Sequence, residues 1–325
     1  MRAVLCKRFG GPEVLELGEV DEPVAGKGQV LVEVRACSVN FPDLLMIQDL
    51  YQYKPELPFV PGSEVAGVVV EVGEGVDRFS PGDRVLGSSL FVGGLAERAA
   101  LAADTTVAIP DDVGYEDAAG LLYAYGTSHH ALKDRARLQP GESLLVLGAA
   151  GAVGLAAVEI GKVMGARVIA AASTDEKLEL CRRYGADETI NYSTEDLKTR
   201  VRELTGGEGA DVVYDPVGGA YSEQALRSTA WKGRFLVIGF AAGEIPRVPL
   251  NLALLRGCSI VGVFWGSFVY REPDHHRANV VEMVDWWRQG KLRPHTSAVY
   301  PLDRASEALS DLAERRAMGK VVVTP

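Results

Sequence analysis

Residues 143–173 read SLLVLGAAGAVGLAAVEIGKVMGARVIAAAS, and this stretch carries the strongest information about the fold. An apolar run at 144–147 leads into a glycine-rich turn at 148–154, which opens an alanine-rich segment that reaches Gly165. A second apolar run follows at 168–172. This succession of strand, tight turn, helix and strand predicts a βαβ unit, in which the two strands are parallel.

The glycines of the turn, Gly148, Gly151 and Gly154, lie where a nucleotide-binding fold has its pyrophosphate site. Without side chains they let the backbone approach an anion closely, and the helix that follows offers N–H groups and a partial positive charge. Glycines at these positions can also serve only to pack a helix tightly. Because the turn joins an apolar strand to a helix, we interpret it as a dinucleotide-binding turn.

Strand and helix patterns continue to alternate beyond this unit. Further strands are predicted at 186–190, 211–214, 235–238 and 259–264. Such alternation predicts an α/β fold built on a doubly wound parallel sheet of the Rossmann type, with helices on both faces.

The first third of the chain has a different pattern, in which short β-branched runs are separated by Gly and Pro turns. The predicted strands at 2–7, 29–36 and 65–72 indicate a compact β barrel or sandwich. The chain ends in a polar-patterned helix at 302–316 and a strand at 320–323, which we expect to return to the β domain.

The length of 325 residues suggests about two domains. We predict a β domain formed by residues 1–123 and 291–325 and a nucleotide-binding domain formed by residues 124–290.

Composition narrows the class of protein. Apolar residues make up 47% of the chain and charged residues 24%, as in ordinary globular proteins. The net charge is −10 and no long basic run is present, so we expect no binding to nucleic acid or to an anionic membrane. The four cysteines form no C-x-x-C pair, and charge returns early at the N-terminus, so we expect a cytoplasmic protein.

The end of the second strand of the βαβ unit predicts the cofactor. NAD-specific folds usually carry an acid there, which binds the ribose hydroxyls. This chain has Ala172, followed by Ser173 and Lys177, which can bond a 2′-phosphate and compensate its charge. The pattern favours NADP(H), although Asp175 or Glu176 can instead turn inward toward the ribose.

Several motifs spread over almost the whole chain point to one family. Besides the glycine turn they are FGGPEVL at 9–15, SVNFPD at 38–43, LPFVPGSEVAG at 57–67, PGDRV at 81–85 and GKVVV at 319–323. Together they resemble the zinc-free quinone oxidoreductase branch of the medium-chain dehydrogenase/reductase family. The resemblance implies a GroES-like β domain, completed by the C-terminal end of the chain, and a Rossmann domain, with NADPH and substrate between them. It also implies a homodimer or homotetramer in which Rossmann edge strands pair, here residues 259–266.

The resemblance also assigns the cofactor contacts. The pyrophosphate would meet Gly151, Ala152, Val153 and Gly154, and the 2′-phosphate would meet Ser173, Lys177 and Tyr192. The nicotinamide and its ribose would lie against Gly239, Phe240, Val263 and Phe264. Thr127 would lie beneath the nicotinamide at the start of a helix, although a plain helix cap is an alternative.

The candidate residues on the substrate side are Asn40, Asp43, Leu45, Tyr51 and Tyr53. Tyr51 and Asn40 are the candidate catalytic residues, and Tyr51 matches a tyrosine of the family. The Tyr51 phenol can donate a hydrogen bond to a carbonyl oxygen that becomes negative as hydride arrives, although an exposed loop tyrosine without such a role is an alternative. Asn40 can do similar work or only hold the loop.

Zinc-dependent relatives have a cysteine where this chain has Asn40 and a histidine where it has Ser63, so no zinc site is expected. The chain is therefore expected to be an NADPH-dependent, zinc-independent reductase that transfers hydride to a small electrophile, a quinone. One alternative is a reductase of the double bonds of enones, enals or enoyl thioesters. The other is a non-catalytic NADPH-binding structural or sensor protein.

Overall fold

In the computed structural model, which describes residues 1–89 and 92–325, the chain forms two structural units. The first unit contains Met1–Tyr123, Val269–Val284 and Pro294–Pro325. The second contains Ala124–Phe268 and Asp285–Arg293.

These units differ from the predicted domains in two short segments. Residues 269–284 group with the first unit, where the Arg277 guanidinium donates to the Asp104 carbonyl at 2.9 Å. Residues 291–293 group with the second, where the Arg293 N–H donates to Glu159 Oε1 at 3.0 Å.

The strands lie close to the predicted positions. In chain order they are β1 (Arg2–Cys6), β2 (Leu15–Glu19), β3 (Gln29–Val39), β4 (Glu64–Val72), β5 (Arg84–Ser88), β6 (Arg98–Ala102), β7 (Val107–Ala108), β8 (Ser143–Leu147), β9 (Arg167–Ala172), β10 (Glu188–Asn191), β11 (Ala210–Asp215), β12 (Thr229–Val237), β13 (Ser259–Gly262), β14 (Thr296–Pro301) and β15 (Lys320–Thr324).

The helices alternate with strands in the second half of the chain. They are α1 (Phe41–Ile47), α2 (Tyr115–Ala118), α3 (Thr127–His129), α4 (Ala152–Val163), α5 (Asp175–Arg183), α6 (Leu197–Leu204), α7 (Gly219–Arg227), α8 (Asn251–Arg256), α9 (Trp265–Arg271), α10 (Pro273–Arg288) and α11 (Ala305–Ala313). Short 3₁₀ turns span Pro12–Val14, Ala103–Thr105 and Leu302–Arg304, and π-helical segments span Leu122–Gly126 and His130–Arg135. No helix within residues 1–89 and 92–325 is long and apolar enough to cross a bilayer.

The first unit is built on a seven-stranded sheet whose main path is β14-β15-β3-β4-β5-β7, with β6 paired to β3. The last strand of the chain, β15, pairs antiparallel with β3 through Val321 and Val39, which confirms that the chain end returns to the β domain. Alternate residues of β3, such as Val30 and Val32, are fully buried in the core of this unit.

The second unit contains a six-stranded sheet in the order β10-β9-β8-β11-β12-β13. Every pairing in it is parallel, which confirms the doubly wound sheet. Residues 144–147 of the central strand β8 are fully buried, as expected for a strand covered on both faces. The strand order reverses between β8 and β11, and ligands of such sheets bind at this reversal, beyond the carboxyl ends of the strands.

Candidate functional site

The second unit gathers most of the predicted cofactor residues along one edge of its sheet. The glycine turn follows β8, Ser173 follows β9 and Tyr192 follows β10. Gly239 lies two residues beyond β12, and Val263 directly follows β13. Because all six strands are parallel, these strand ends share the carboxyl edge of the sheet.

The glycine turn has the backbone that a close approach requires. Gly148 has a φ of +56°, in the left-handed region that favours glycine. A Cβ on Gly154 would lie only 2.3 Å from the Gly148 carbonyl oxygen, so this position admits no side chain. A Cβ on Gly151 would meet only that oxygen, at 3.4 Å, so its other side is open.

Helix α4 begins directly after Gly151, which is its N-cap residue. The N–H groups of Ala152, Val153 and Gly154 belong to the first turn and therefore have no acceptor within the helix. These groups and the open side of Gly151 fit the pyrophosphate of a dinucleotide.

The turn between β9 and α5 carries no acid at the strand end. Ala172 is 1% exposed and Ser173 is half-buried. The Thr174 hydroxyl caps α5 by accepting from the Lys177 N–H at 3.3 Å, which places the half-buried Lys177 in the first turn of the helix. The residues of this turn include a hydroxyl and an ammonium, which suit a phosphate. The turn therefore fits NADPH, which has a 2′-phosphate, better than NADH, which has none.

Tyr192 lies directly after β10, and its ring packs against Tyr221 with centroids 4.4 Å apart. The residue is half-buried.

The predicted nicotinamide segments are held by backbone hydrogen bonds at the ends of β12 and β13. The Ile238 N–H donates to the Asp215 carbonyl at 3.0 Å, and the Val263 N–H donates to the Val237 carbonyl at 3.0 Å. Gly239 and Phe240 are half-buried. Val263 is buried, whereas Phe264 is 58% exposed.

The α-helix α3 begins at Thr127, as the resemblance implies, but it continues a helical stretch that starts earlier in the chain. Residues 122–135 are continuously helical, with α3 between the two π-helical segments. Gly126 has helical dihedral angles, φ −61° and ψ −43°, so the helix passes through it. Thr127 therefore lies inside a helix and is not a cap.

In the first unit, Asn40 belongs to a buried polar network around Glu64. The Lys320 ammonium lies 2.8 Å from Glu64 Oε2 and 2.7 Å from Asn40 Oδ1. The Asn40 amide donates to the same Glu64 oxygen at 3.2 Å, and the Ser38 hydroxyl also donates to it. The other oxygen of Glu64 accepts the Tyr123 N–H at 3.0 Å. The carboxylate thus joins β3, β4, β15 and the segment after α2.

Asn40 and Asp43 also form a capping box at the start of α1. Asp43 accepts the Asn40 N–H at 2.7 Å and the Gly62 N–H at 3.2 Å. Burial raises the pKa of Asp43 to about 7, although these two N–H groups and the Lys320 charge act in the opposite direction. The fully buried Asp43 side chain therefore fixes the loop that carries Asn40.

Tyr51 packs against the core of the first unit and is half-buried. Burial, and then the charge of Asp43, raise its pKa, so the phenol stays protonated at neutral pH. Burial and the nearby hydroxyls of Tyr51 and Tyr53 raise the pKa of Tyr270 to about 12. Leu45 is half-buried in α1.

Sequence reasoning missed Tyr270 and Lys320 as neighbours of the predicted substrate residues. Tyr270 belongs to no motif, whereas Lys320 lies in the GKVVV motif. The position of Lys320 directly before an apolar run was the one signal available, since a lysine that is buried with such a strand needs a partner.

Two family models match the chain. Residues 26–111 match the alcohol dehydrogenase GroES-like domain, and residues 152–286 match the zinc-binding dehydrogenase family. The quinone oxidoreductase-like protein 2 homolog of Nematostella vectensis is 44% identical over 324 residues, which are 99% of this chain and 88% of the relative. The chain belongs to the quinone oxidoreductase branch of the medium-chain dehydrogenase/reductase family. It is an oxidoreductase, and the predicted resemblance is confirmed.

Solved structures of the family agree with this assignment. A mycobacterial protein complexed with NADPH has a TM-score of 0.94 and 35% identity, and each chain covers 100% of the other. The quinone oxidoreductase of Escherichia coli, also complexed with NADPH, has a TM-score of 0.93 and 28% identity, again with each chain covered in full. The GroES-like and Rossmann folds predicted for this family member are confirmed.

One of the two matching families is described as zinc-binding. The residues of this chain do not fit a zinc ion. Protein zinc sites use thiolate, imidazole and carboxylate ligands. At the two positions where zinc-dependent relatives carry ligands, this chain offers the Asn40 amide and the Ser63 hydroxyl. The adjacent Glu64 carboxylate is already neutralised by Lys320. Among the side chains that the structure describes, no group of three or more His, Cys, Asp or Glu residues is placed to hold a metal ion.

Proposed function

We propose that this oxidoreductase transfers a hydride from NADPH to a quinone and needs no zinc. The observation that carries the proposal is the carboxyl edge of the second unit's sheet, where an open glycine turn lies beside a strand end without an acid. Two structural relatives of this fold bind NADPH, and the curated relatives are named as quinone oxidoreductases or quinone oxidoreductase-like proteins.

When bound, NADPH supplies the hydride. The chain's own residues would bind and orient it: the first turn of α4 would hold the pyrophosphate, and Ser173, Lys177 and Tyr192 would surround the 2′-phosphate. The nicotinamide end would be positioned by Gly239, Phe240, Val263, Phe264 and Thr127. Such positioning is a large part of catalysis when the cofactor carries the chemistry.

Tyr51 is the proposed catalytic residue because it matches a tyrosine of the family and is half-buried, and its phenol has a proton to donate at neutral pH. It would donate a hydrogen bond to the quinone oxygen that becomes negative. Asn40 would act as a positioning residue, since its amide already donates to Glu64 and its carbonyl accepts from Lys320.

Tyr51→Phe tests this role. Loss of one donor to a developing oxyanion costs roughly 2 to 4 kcal/mol, so kcat should fall about 30-fold to 1,000-fold with little change in NADPH affinity. Tyr300→Phe, which removes a surface hydroxyl bonded to Asp311, is the matched control. Equal activity of wild type and Tyr51→Phe would remove Tyr51 from the mechanism.

Turnover of NADPH with a panel of acceptors tests the function itself. The panel contains a benzoquinone, a naphthoquinone, an enone, an enal and an enoyl thioester, each assayed before and after exhaustive chelation. We expect quinone turnover that chelation leaves intact. Turnover of the enoyl thioester without the quinones would establish the double-bond reductase, and NADPH binding without any turnover would support the non-catalytic alternative.

We also propose that the protein is a homodimer joined through the outer edge of β13. Within the described residues this strand has a paired neighbour on one side only. Its own Ile260 is 39% exposed, and Leu254 in the preceding helix α8 is 79% exposed. Free strand edges flanked by apolar surface favour pairing with a second chain. Ile260→Lys should shift sedimentation toward the monomer, whereas Val24→Lys, at an exposed position of the first unit, should not. A monomeric wild type would contradict the proposal.

The proposed location is the cytoplasm. All four cysteines are free thiols, three of them buried, which is typical of proteins in a reducing compartment. Fractionation of cells with antibody detection tests this location.

A further inference from the structure

The sequence leaves two carboxylates in doubt at the predicted 2′-phosphate site, those of Asp175 and Glu176. Asp175 lies three residues beyond Ala172 and begins helix α5. A carboxylate that reached the cofactor would bond the ribose hydroxyls of NADH and repel the phosphate of NADPH. What restrains Asp175 therefore bears directly on the choice of cofactor.

The structure shows a specific restraint on this carboxylate. Asn191, the last residue of β10, donates from Nδ2 to Asp175 Oδ1 at 2.9 Å. The same amide accepts the Ser193 N–H at its Oδ1, at 3.2 Å. Only one orientation of the amide satisfies both bonds, because the NH₂ group cannot accept and the oxygen cannot donate. The donor is thus held toward Asp175.

A second bond ties the same two segments together. The Ser193 hydroxyl donates to the Ser173 carbonyl at 2.9 Å. The Tyr192 N–H also donates to the Ala172 carbonyl, at 3.1 Å. Residues 191–193 are therefore fastened to the end of β9 and the start of α5 at three points. This three-residue segment carries Tyr192, which would bind the 2′-phosphate. It also holds the Asp175 carboxylate, which would repel that phosphate.

We propose that Asn191 is a specificity-determining residue, which favours NADPH by keeping the Asp175 carboxylate bonded to the end of β10. The inference rests on the proposed use of NADPH. Asn191 acts through Asp175 and Tyr192, so it is a positioning residue that need not touch the cofactor. Without it, Asp175 would be released to face a 2′-phosphate as a like charge.

The test measures the dissociation constants of NADPH and NADH for four proteins at one ionic strength: wild type, Asn191→Ala, Asp175→Asn and the double variant. Circular dichroism first establishes that each variant is folded. We expect Asn191→Ala to lower the preference for NADPH by about fivefold or more, as expected when a charge moves to within a few ångströms of a phosphate. Asp175→Asn should keep the preference, and the double variant should regain it, because no charge is left to release.

Two results would overturn the inference. One is an unchanged preference in Asn191→Ala, and the other is a double variant as impaired as Asn191→Ala, which would mean that displacement of Tyr192 explains the loss. The binding titrations need no acceptor, so they are independent of quinone turnover. A wild type that prefers NADPH but reduces no quinone would contradict the proposed function and leave this inference standing.

Discussion

Lys320 Nζ lies 2.8 Å from Glu64 Oε2, and the two side chains are 2% and 0% exposed. The pair joins the last strand of the chain to β4, and its ammonium also bonds the carbonyl oxygen of Asn40. A buried charge is tolerated only when its partners are all present, so the three side chains depend on one another.

Lys320→Met should therefore destabilise the protein strongly, because it leaves the Glu64 carboxylate buried without its counter-charge. Removing one partner of a buried pair costs about 3 to 5 kcal/mol in the free energy of unfolding, measured by urea titration. Adding Glu64→Gln should recover part of the loss. Lys27→Met is the matched control, because its ion pair with Glu74 is 78% and 79% exposed and should contribute about 1 kcal/mol or less. A Lys320→Met variant as stable as this control would contradict the account.

Gly151→Asp should weaken NADPH binding by about tenfold or more, since it sets a negative charge at the helix N-terminus that would hold the pyrophosphate. Gly151→Ala should have a smaller effect, because its Cβ meets only the Gly148 oxygen at an ordinary 3.4 Å. Fluorescence titration with NADPH measures both. Unchanged affinity in a folded Gly151→Asp protein would show that the cofactor binds elsewhere.

Lys177→Ala should lower NADPH affinity by about tenfold to a hundredfold, the usual contribution of a charge-assisted bond, and should leave NADH affinity nearly unchanged. Titrations with both cofactors at fixed ionic strength measure the difference, since salt screens phosphate contacts. Lys27→Ala removes the same charge from an exposed position of the first unit and is the control. Equal weakening for the two cofactors would contradict the assignment of the 2′-phosphate site.

Glu159 should make stability depend on pH. It is 3% exposed, accepts hydrogen bonds from the Tyr125 hydroxyl and the Arg293 N–H, and burial raises its pKa to about 7. The unfolded chain releases this proton near pH 4.3, about the ordinary glutamate pKa. Between these values the folded protein holds a proton that the unfolded chain has lost, so the free energy of unfolding falls as pH rises toward 7.

Glu159→Gln should flatten this decline by up to about 1.4 kcal/mol per pH unit, measured by urea unfolding at several pH values. Part of the decline should remain, because burial shifts the pKa of Asp43 in the same direction. Glu208→Gln, at an exposed position, should leave the slope as it is. An identical slope in wild type and Glu159→Gln would contradict the raised pKa.

The fold was predictable where the sequence pattern is local. The run at 144–172 contains its own strand, turn and helix signals, and β8, α4 and β9 form as predicted. The return of β15 to the first unit was also expected, but the strand that it pairs with was not, because no local signal joins residues so far apart.

The site was less predictable, because its decisive contacts are long-range. Lys320 and Glu64 are separated by 256 positions. They belong to two different motifs, and neither motif indicates that the two residues pair. The helical stretch before Thr127 was not predicted, because glycine is compatible with both helix and turn, and Gly126 adopts the helical conformation. The Asn191–Asp175 bond depends on the register of two strand ends, which the sequence alone does not specify.

Single-turnover oxidation of NADPH by a quinone, carried out with chelated protein and with NADPH that carries deuterium at C4, tests the central claim most directly. If the enzyme transfers a hydride to the quinone, NADPH should disappear only when protein and quinone are both present, and more slowly when C4 carries deuterium. NADPH that stays reduced in the presence of protein and quinone, or oxidation that stops on chelation and returns with zinc, would contradict it.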